Sequence, residues 1–336
     1  MKKYLIYISA ILLLTSCREE IDLNLNSGEE QLVVEGKIEQ GFPPYIILTK
    51  SQGYFEPVNS ETYNSIFVEG ASVWVYKKQD SVLTDSIELT QITDSIPLYT
   101  NLNTPTSFSE EGFKYLLKID WNEFSVEAIT SIPYSTPLDS LWVTLDTLEE
   151  KDFKCDINAL YNDPDTIGNN ILIMSKRTQH WVKDKSTDPI SIKNKEDESL
   201  LLVDCGPDIL INGEAFETYF PRPDENTGFP MKSYNTSHYK IITDSNNNFV
   251  DSLFFPNDEV LIKFCQVDKA SMQFWRAVVR DMNAGGNPFA EPMNMVSNIE
   301  GGLGIWSGYG AVYYKIPVIV DTTITEQYQP NIFDIF

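Results

Sequence analysis

From Leu32 onward the chain is divided into short apolar runs of strand length, and this limits its possible folds more than any other feature. LVVEGKI, YIILT, SVWVYKK, SIELTQI, FKYLLKI and FSVEAIT follow one another, rich in β-branched and aromatic residues. Turn-forming residues such as Gly41-Phe42-Pro43-Pro44 and Glu111-Gly112 stand between them. Successive side chains of a strand point to opposite faces, so runs of this kind can bury one face and wet the other. No helical period interrupts the series. Short strands at this spacing, over about a hundred residues, predict a β-sandwich of immunoglobulin-like or transthyretin-like type at 32–135.

Pro133 and Pro137, in SIPYSTPLDS, mark the boundary to a second region, 136–336, which is also strand-rich but less regular. Its clearest strands are ILIMS, SLLLV, FVDSLFF, EVLIKFCQV and AVYYKIPVIV, joined by long polar loops. Met272, Trp275, Val278, Val279 and Met282 recur at helical spacing, so an amphipathic helix is expected near 269–283. Asp268 can cap its start, and Gly285-Gly286 with Pro288 can end it. The Met and Trp stripe is read as core packing. The expected fold class is therefore mainly β: a sandwich followed by an irregular β-rich domain with one amphipathic helix.

Upstream of the strands lies an export signal. Lys2 and Lys3 precede an uncharged, largely apolar stretch from Tyr4 to Leu14. That is the layout of a secretory signal, and it falls short of the roughly 20 apolar residues that a spanning helix needs. It ends in Leu14-Thr15-Ser16-Cys17, which resembles the lipobox of bacterial lipoproteins at all four positions. The Cys17 thiol is the nucleophile that would take a diacylglyceryl group, and the small Thr15 and Ser16 give a peptidase access to the bond before it. Residues 1–16 are then the signal peptide, and 17–31 an acidic spacer near the lipid, with Ile21, Leu23 and Leu25 able to form an edge strand. Several acyl chains hold far longer than one, since each buried methylene contributes about 0.8 kcal/mol.

The formal net charge of −24, from 49 acidic against 25 basic residues, repels nucleic acid and anionic lipid, so nucleic-acid binding is excluded. Beyond Cys17 the cysteines are Cys155, Cys205 and Cys265, which allow at most one intrachain disulfide. Without a CxxC pair, and with His180 and His238 as the only imidazoles, no structural zinc site is expected. Asp244, Asn246 and Asn248 occupy the first oxygen positions of a calcium loop, but Phe249 and Phe255 stand where that loop needs Gly and Glu, so a hairpin turn is expected. Asn162-Asp163-Pro164-Asp165 is likewise read as a turn. Gly301-Gly302-Leu303-Gly304 runs into a strand and lacks the GxGxxG spacing, so these glycines should serve a turn or close strand approach. Neither histidine lies in a nucleophile motif, and no carboxylate pair can be singled out; no enzyme activity, cofactor or metal is assigned. Trp74, Trp121, Trp142 and Trp306 could stack on sugars or peptides if exposed, but strand contexts favour the core.

The acidic spacer after Cys17, LVVEGKI and YIILT, VEGASVWVY, TSIPYSTPLDSLWV, the NDPDTIGNN loop and the run FWRAVVRDMNAGGNPFAEPMNMVSNIEGGLGIWSGYG together resemble the surface lipoproteins of Bacteroidota catalogued as domain of unknown function 4249. The likeness covers nearly the whole mature chain. It implies no reaction; it implies a place and an association, since such proteins are typically encoded beside TonB-dependent outer-membrane transporters. It also implies that Arg18-Glu19-Glu20, directly after the lipidated cysteine, directs the protein to the cell surface. The expectation is an outer-membrane lipoprotein facing the exterior, an accessory binding partner of such a transporter, with its small-molecule, peptide or glycan ligand unassigned. A surface hydrolase that trims a glycan or peptide before uptake, and a structural envelope protein, are the alternatives.

Overall fold

The computed structural model describes residues 30–52, 59–92, 98–149, 151–182, 192–196, 200–207, 209, 212–223, 232–284 and 295–335. The first strand starts at Leu32, where the alternation begins. The N-terminal region comprises β1 (Leu32–Glu39), β2 (Tyr45–Lys50), α1 (Ser60–Ser65), β3 (Ser72–Gln79), β4 (Val82–Gln91), β5 (Leu98–Thr100), β6 (Lys114–Trp121) and β7 (Phe124–Ser131). The single turn of α1 does interrupt the strands, contrary to expectation. Asn59 makes it possible, since its side-chain carbonyl accepts from the Thr62 backbone N at 3.0 Å, as a helix cap does. The remaining elements are β8 (Ser140–Leu145), β9 (Lys154–Asn162), β10 (Asn170–Val182), β11 (Ile192–Glu196), β12 (Leu201–Gly206), β13 (Ala215–Tyr219), β14 (Tyr234–Asn235), β15 (His238–Thr243), β16 (Phe249–Phe255), β17 (Glu259–Val267), α2 (Lys269–Ala284), β18 (Ile299–Glu300), β19 (Leu303–Pro317) and β20 (Thr323–Ile324).

One large sheet runs β11-β10-β17-β19-β1-β2-β5-β4-β3-β6-β7-β18, with β12 also on β10. Its β1-to-β18 part doubles back on itself. Leu32 and Val34 of β1, Ile46 and Leu48 of β2 and Tyr99 of β5 thereby share one core with Val73, Val75, Leu117, Ile119 and Val126 from β3, β6 and β7. The region is mainly β as predicted, but its strands belong to one continuous sheet, and its core takes in Ile299 and Trp306 from beyond the expected 32–135 bounds. A second core forms where β10, β17 and β19 are covered by a smaller sheet, β13-β9-β8-β20 with β14 also on β9. Val260, Ile262 and Phe264 there meet Leu141, Val143, Ile157 and Tyr161. The chain passes from the first core to the second between Ile132 and Leu138.

β19 ties the two together. Its 15 residues, about 50 Å at strand rise, pair in parallel with β1 through Tyr309 and antiparallel with β17 from Tyr309 to Pro317. Trp306 goes into the first core, and Val312, Tyr314 and Ile316 into the second. Trp306 faces Gly36 across the parallel ladder, and a Cβ at Gly36 would lie 2.7 Å from the indole. The missing side chain makes room for the ring, whose Nε1 donates to the Tyr115 carbonyl at 3.0 Å.

The other face of β10, β12 and β17 is covered by α2, which starts and ends within a residue of the expected bounds. Met272 and Val279 are buried in this third cluster, with Trp275, Val278 and Met282 packed against it. Asp268 caps the helix as expected: its Oδ1 accepts from the Ser271 N at 2.9 Å. Its Oδ2 accepts from Thr130 Oγ1 at 2.8 Å and the Ser131 N at 3.1 Å, so the cap also binds the helix to β7. Gly285, Gly286 and Pro288, the expected stop, lie outside the described residues. No described helix is long and apolar enough to cross a membrane.

Candidate functional site

Among the described residues, those singled out from sequence do not converge. Cys17, Arg18, Glu19 and Glu20 lie outside the described residues. His180 stands in β10 opposite Asn194, whereas His238 opens β15, stacked between Phe153 and Phe255 with ring centroids 4.1 and 5.2 Å away. Asp244 closes the β15–β16 turn: its Oδ1 accepts from the backbone N of Asn246 at 2.8 Å and of Asn248 at 2.9 Å. These bonds hold its carboxyl below the usual carboxylate range. Asp163 and Asp165 brace a neighbouring turn, accepting from the Gly213 N at 3.3 Å and Asn212 Nδ2 at 3.0 Å. Gly304, at φ +104°, lies so close to β1 that a Cβ would come within 2.0 Å of the Val34 carbonyl oxygen. The glycine run is thus a strand-approach device. Among the described residues no group of three or more His, Cys, Asp or Glu could hold a metal ion.

Cys155, Cys205 and Cys265 are buried free thiols. Cys205 and Cys265 lie on opposite sides of Leu172, one strand away each, so their Cα atoms are about 10 Å apart and too far for a disulfide. Burial pushes the Cys155 thiol up to about 11 and Cys265 up to about 12. Both are inert at neutral pH. Trp306 is fully buried, while Trp74, Trp121 and Trp142 are partly so.

What the sequence did not reveal is a charged centre inside the sheet. β17 is covered on both faces, and Lys263, at 2% exposure, points to the side of α2 and the C-terminal segment. Its ammonium donates to Glu39 Oε2, and the Tyr313 hydroxyl donates to Oε1 of the same carboxylate at 2.5 Å. Register explains the meeting, since Lys263 lies directly opposite Tyr313, and Glu39 opposite Tyr309. The ammonium also sits 4.6 Å from the Tyr309 ring centroid, where the π-face attracts a cation. Burial works against this charge, but Glu39, together with Cys265 and Tyr45, holds the Lys263 pKa above that of an ordinary lysine. A second buried pair, Arg177 and Asp258 at 3.7 Å, braces the far end of β17.

Two cavities flank the Lys263–Glu39 pair. The smaller, about 260 Å³, lies on the Lys263 side and reaches Lys37, Trp275 and Tyr309. The larger, about 540 Å³, lies on the Glu39 side. Its walls are the β1–β2 turn, the middle of β19, Ser135 between the two cores, and the C-terminal stretch from Gln327 to Pro330.

The β15–β16 hairpin forms a two-stranded sheet of its own. Tyr239, Ile241, Phe249 and Val250 on it are exposed by 62, 64, 67 and 60%. A cluster of apolar side chains on so small a sheet is the kind of surface that marks an interaction site.

A family model described as Domain of unknown function (DUF4249) matches residues 18–314, most of the chain. The chain belongs to that family. The DUF4249 match takes in the first core, most of the second, the Lys263–Glu39 centre and the apolar hairpin, whereas Ile316 and Val318 of the second core and the Gln327–Pro330 wall of the larger cavity lie beyond it. No curated protein matches the chain.

Proposed function

We propose that this DUF4249 protein is a lipoprotein anchored through Cys17, facing outward from the outer membrane and acting as a non-enzymatic partner of a TonB-dependent transporter. The tether rests on the Leu14-Thr15-Ser16-Cys17 junction behind a short apolar run, and the outward address on Arg18-Glu19-Glu20. The observation that carries the interaction is the exposure of Tyr239, Ile241, Phe249 and Val250 together on the β15–β16 hairpin, an apolar surface of the kind that receives a partner. Partners held in one membrane meet at high effective concentration, so a modest apolar contact suffices for lasting association.

The test is purification of the full lipoprotein from native membranes in mild detergent, using an antibody to the folded body. Co-elution of an outer-membrane transporter is expected, and it should be lost when Tyr239, Ile241, Phe249 and Val250 are replaced by Ser. Recovery of the lipoprotein alone, with the transporter expressed and other such complexes intact in that detergent, overturns the reading. Cys17→Ser should move the protein to the aqueous phase on detergent partitioning, and a wild-type chain lacking acyl mass would remove the anchor from the proposal.

A further inference from the structure

We infer that the larger cavity, over Glu39, is a binding site for a neutral oligosaccharide. Its volume of about 540 Å³ falls within the range of small-ligand sites, and its place at the junction of two cores is where such sites concentrate. The walls are braced before any ligand arrives. On one side the Gly41 N donates to the Ser109 carbonyl at 2.9 Å, and Ser109 Oγ donates back to the Phe42 carbonyl at 2.7 Å. Opposite, the Tyr328 N donates to the Tyr313 carbonyl at 2.7 Å, and the Tyr328 hydroxyl to Asp334 at 3.1 Å.

The chemistry of the lining selects the ligand. Three primary amides, those of Gln40, Gln327 and Gln329, border the cavity from two walls, and all three residues are exposed. An amide offers two donors and a carbonyl acceptor, which suits the paired donor and acceptor character of neighbouring sugar hydroxyls. Phe42 and Tyr328 add aromatic surface of the kind that receives the apolar face of a pyranose ring.

The same walls argue against other ligands. Glu39 is the one described lining residue with a formal charge at neutral pH, and Lys263 and Tyr313 already hold both its oxygens. A phosphate or carboxylate would find no cation at the wall. An extended peptide binds best by adding to a free strand edge, but where β19 lines the cavity β17 takes one side, and on the other the Tyr328 N already donates to the Tyr313 carbonyl. What remains is recognition by side-chain amides and rings, which fits an uncharged, hydroxyl-rich ligand.

The experiment is calorimetric titration of the full lipoprotein in mild detergent with a panel of neutral tetra- to hexasaccharides: α- and β-glucans, xylan and mannan fragments. Oligogalacturonates and alanine-rich hexapeptides of similar length serve as comparators. At least one neutral oligosaccharide is expected to bind with Kd below about 1 mM. Loss of two amides in the Gln327→Ala/Gln329→Ala variant should weaken it about tenfold or more. Gln40→Ala on the opposite wall should weaken it as well, and Ile167→Ala, remote from the cavity, should not. All four residues are exposed, and matching melting curves exclude a folding defect. Three results overturn the inference: no neutral sugar binding, equal binding by the glutamine variants, or comparators bound as tightly as the sugars. Sugar binding does not require a transporter, so this titration and the co-purification can fail separately.

Discussion

Lys263 and Glu39 lie 224 positions apart, yet each depends on the other. Both are almost wholly out of water, where a charge without a counter-charge is far more costly than a neutral pair. Lys263→Met alone strands the Glu39 carboxylate and should destabilise the fold by about 3–5 kcal/mol in urea unfolding. Replacing both, as Glu39→Leu/Lys263→Met, removes the desolvation cost along with the attraction and should come within about 1–2 kcal/mol of wild type. If the two single losses simply add in the double variant, the pair is not coupled. The centre was not legible in EVLIKFCQV, where a lysine amid apolar residues looks like an ordinary outward position. Its partner is set by strand order, and the parallel pairing of β1 with β19 cannot be read from either strand alone.

At the scale of elements, α2 shows both what local pattern reveals and where it stops. The stripe from Met272 to Met282 and the Asp268 cap were readable because helix period and capping are local rules. The bonds from Thr130 and Ser131 to the same carboxylate join residues more than 130 positions apart and leave no local trace. Asp268→Ala therefore removes more than a cap, and should cost about 2–4 kcal/mol against the roughly 1 kcal/mol of a typical cap alone. Asp268→Asn keeps one acceptor oxygen and should fall between the two, as read from urea midpoints. Loss equal to a simple cap would show that the tie to β7 contributes nothing. Among the strands, the six N-terminal runs all form, because their apolar positions meet a common core on one face. β9 escaped notice although Cys155, Ile157, Ala159 and Tyr161 alternate inward; Asp156 and Asn158 between them dilute the apolar run without breaking the period. β5, β18 and β20 have two or three residues each, too few for any periodicity, and exist because a neighbouring strand offers them an edge.

Across the whole molecule, the buried groups that can lose a proton set the pH response. Burial raises the thiols of Cys155 and Cys265 to about 11 and about 12, and Cys205 further still. It raises Tyr314 to about 12, and Tyr309 and Tyr313 well above the ordinary phenol range. In the unfolded chain thiols ionise near pH 8.5 and phenols near pH 10, to about half a unit. From about pH 8.5 upward the unfolded state therefore binds fewer protons than the native one, and stability must fall as pH rises. Lys263 acts in the same direction. Its folded pKa lies above the unfolded value of about 10.4, so its contribution is complete below that pH and is lost as pH climbs through the folded value. The urea midpoint, measured under reductant from neutral to about pH 10.5, should hold steady at first and then decline from about pH 8.5, with a steeper fall once the tyrosines join near pH 10. Replacing Cys155, Cys205 and Cys265 together by Ala should delay the onset toward the tyrosine range while leaving the later fall in place. A midpoint that stays flat through pH 10, or a decline whose onset the triple variant does not move, would show that these thiols are not neutral and buried in the folded protein.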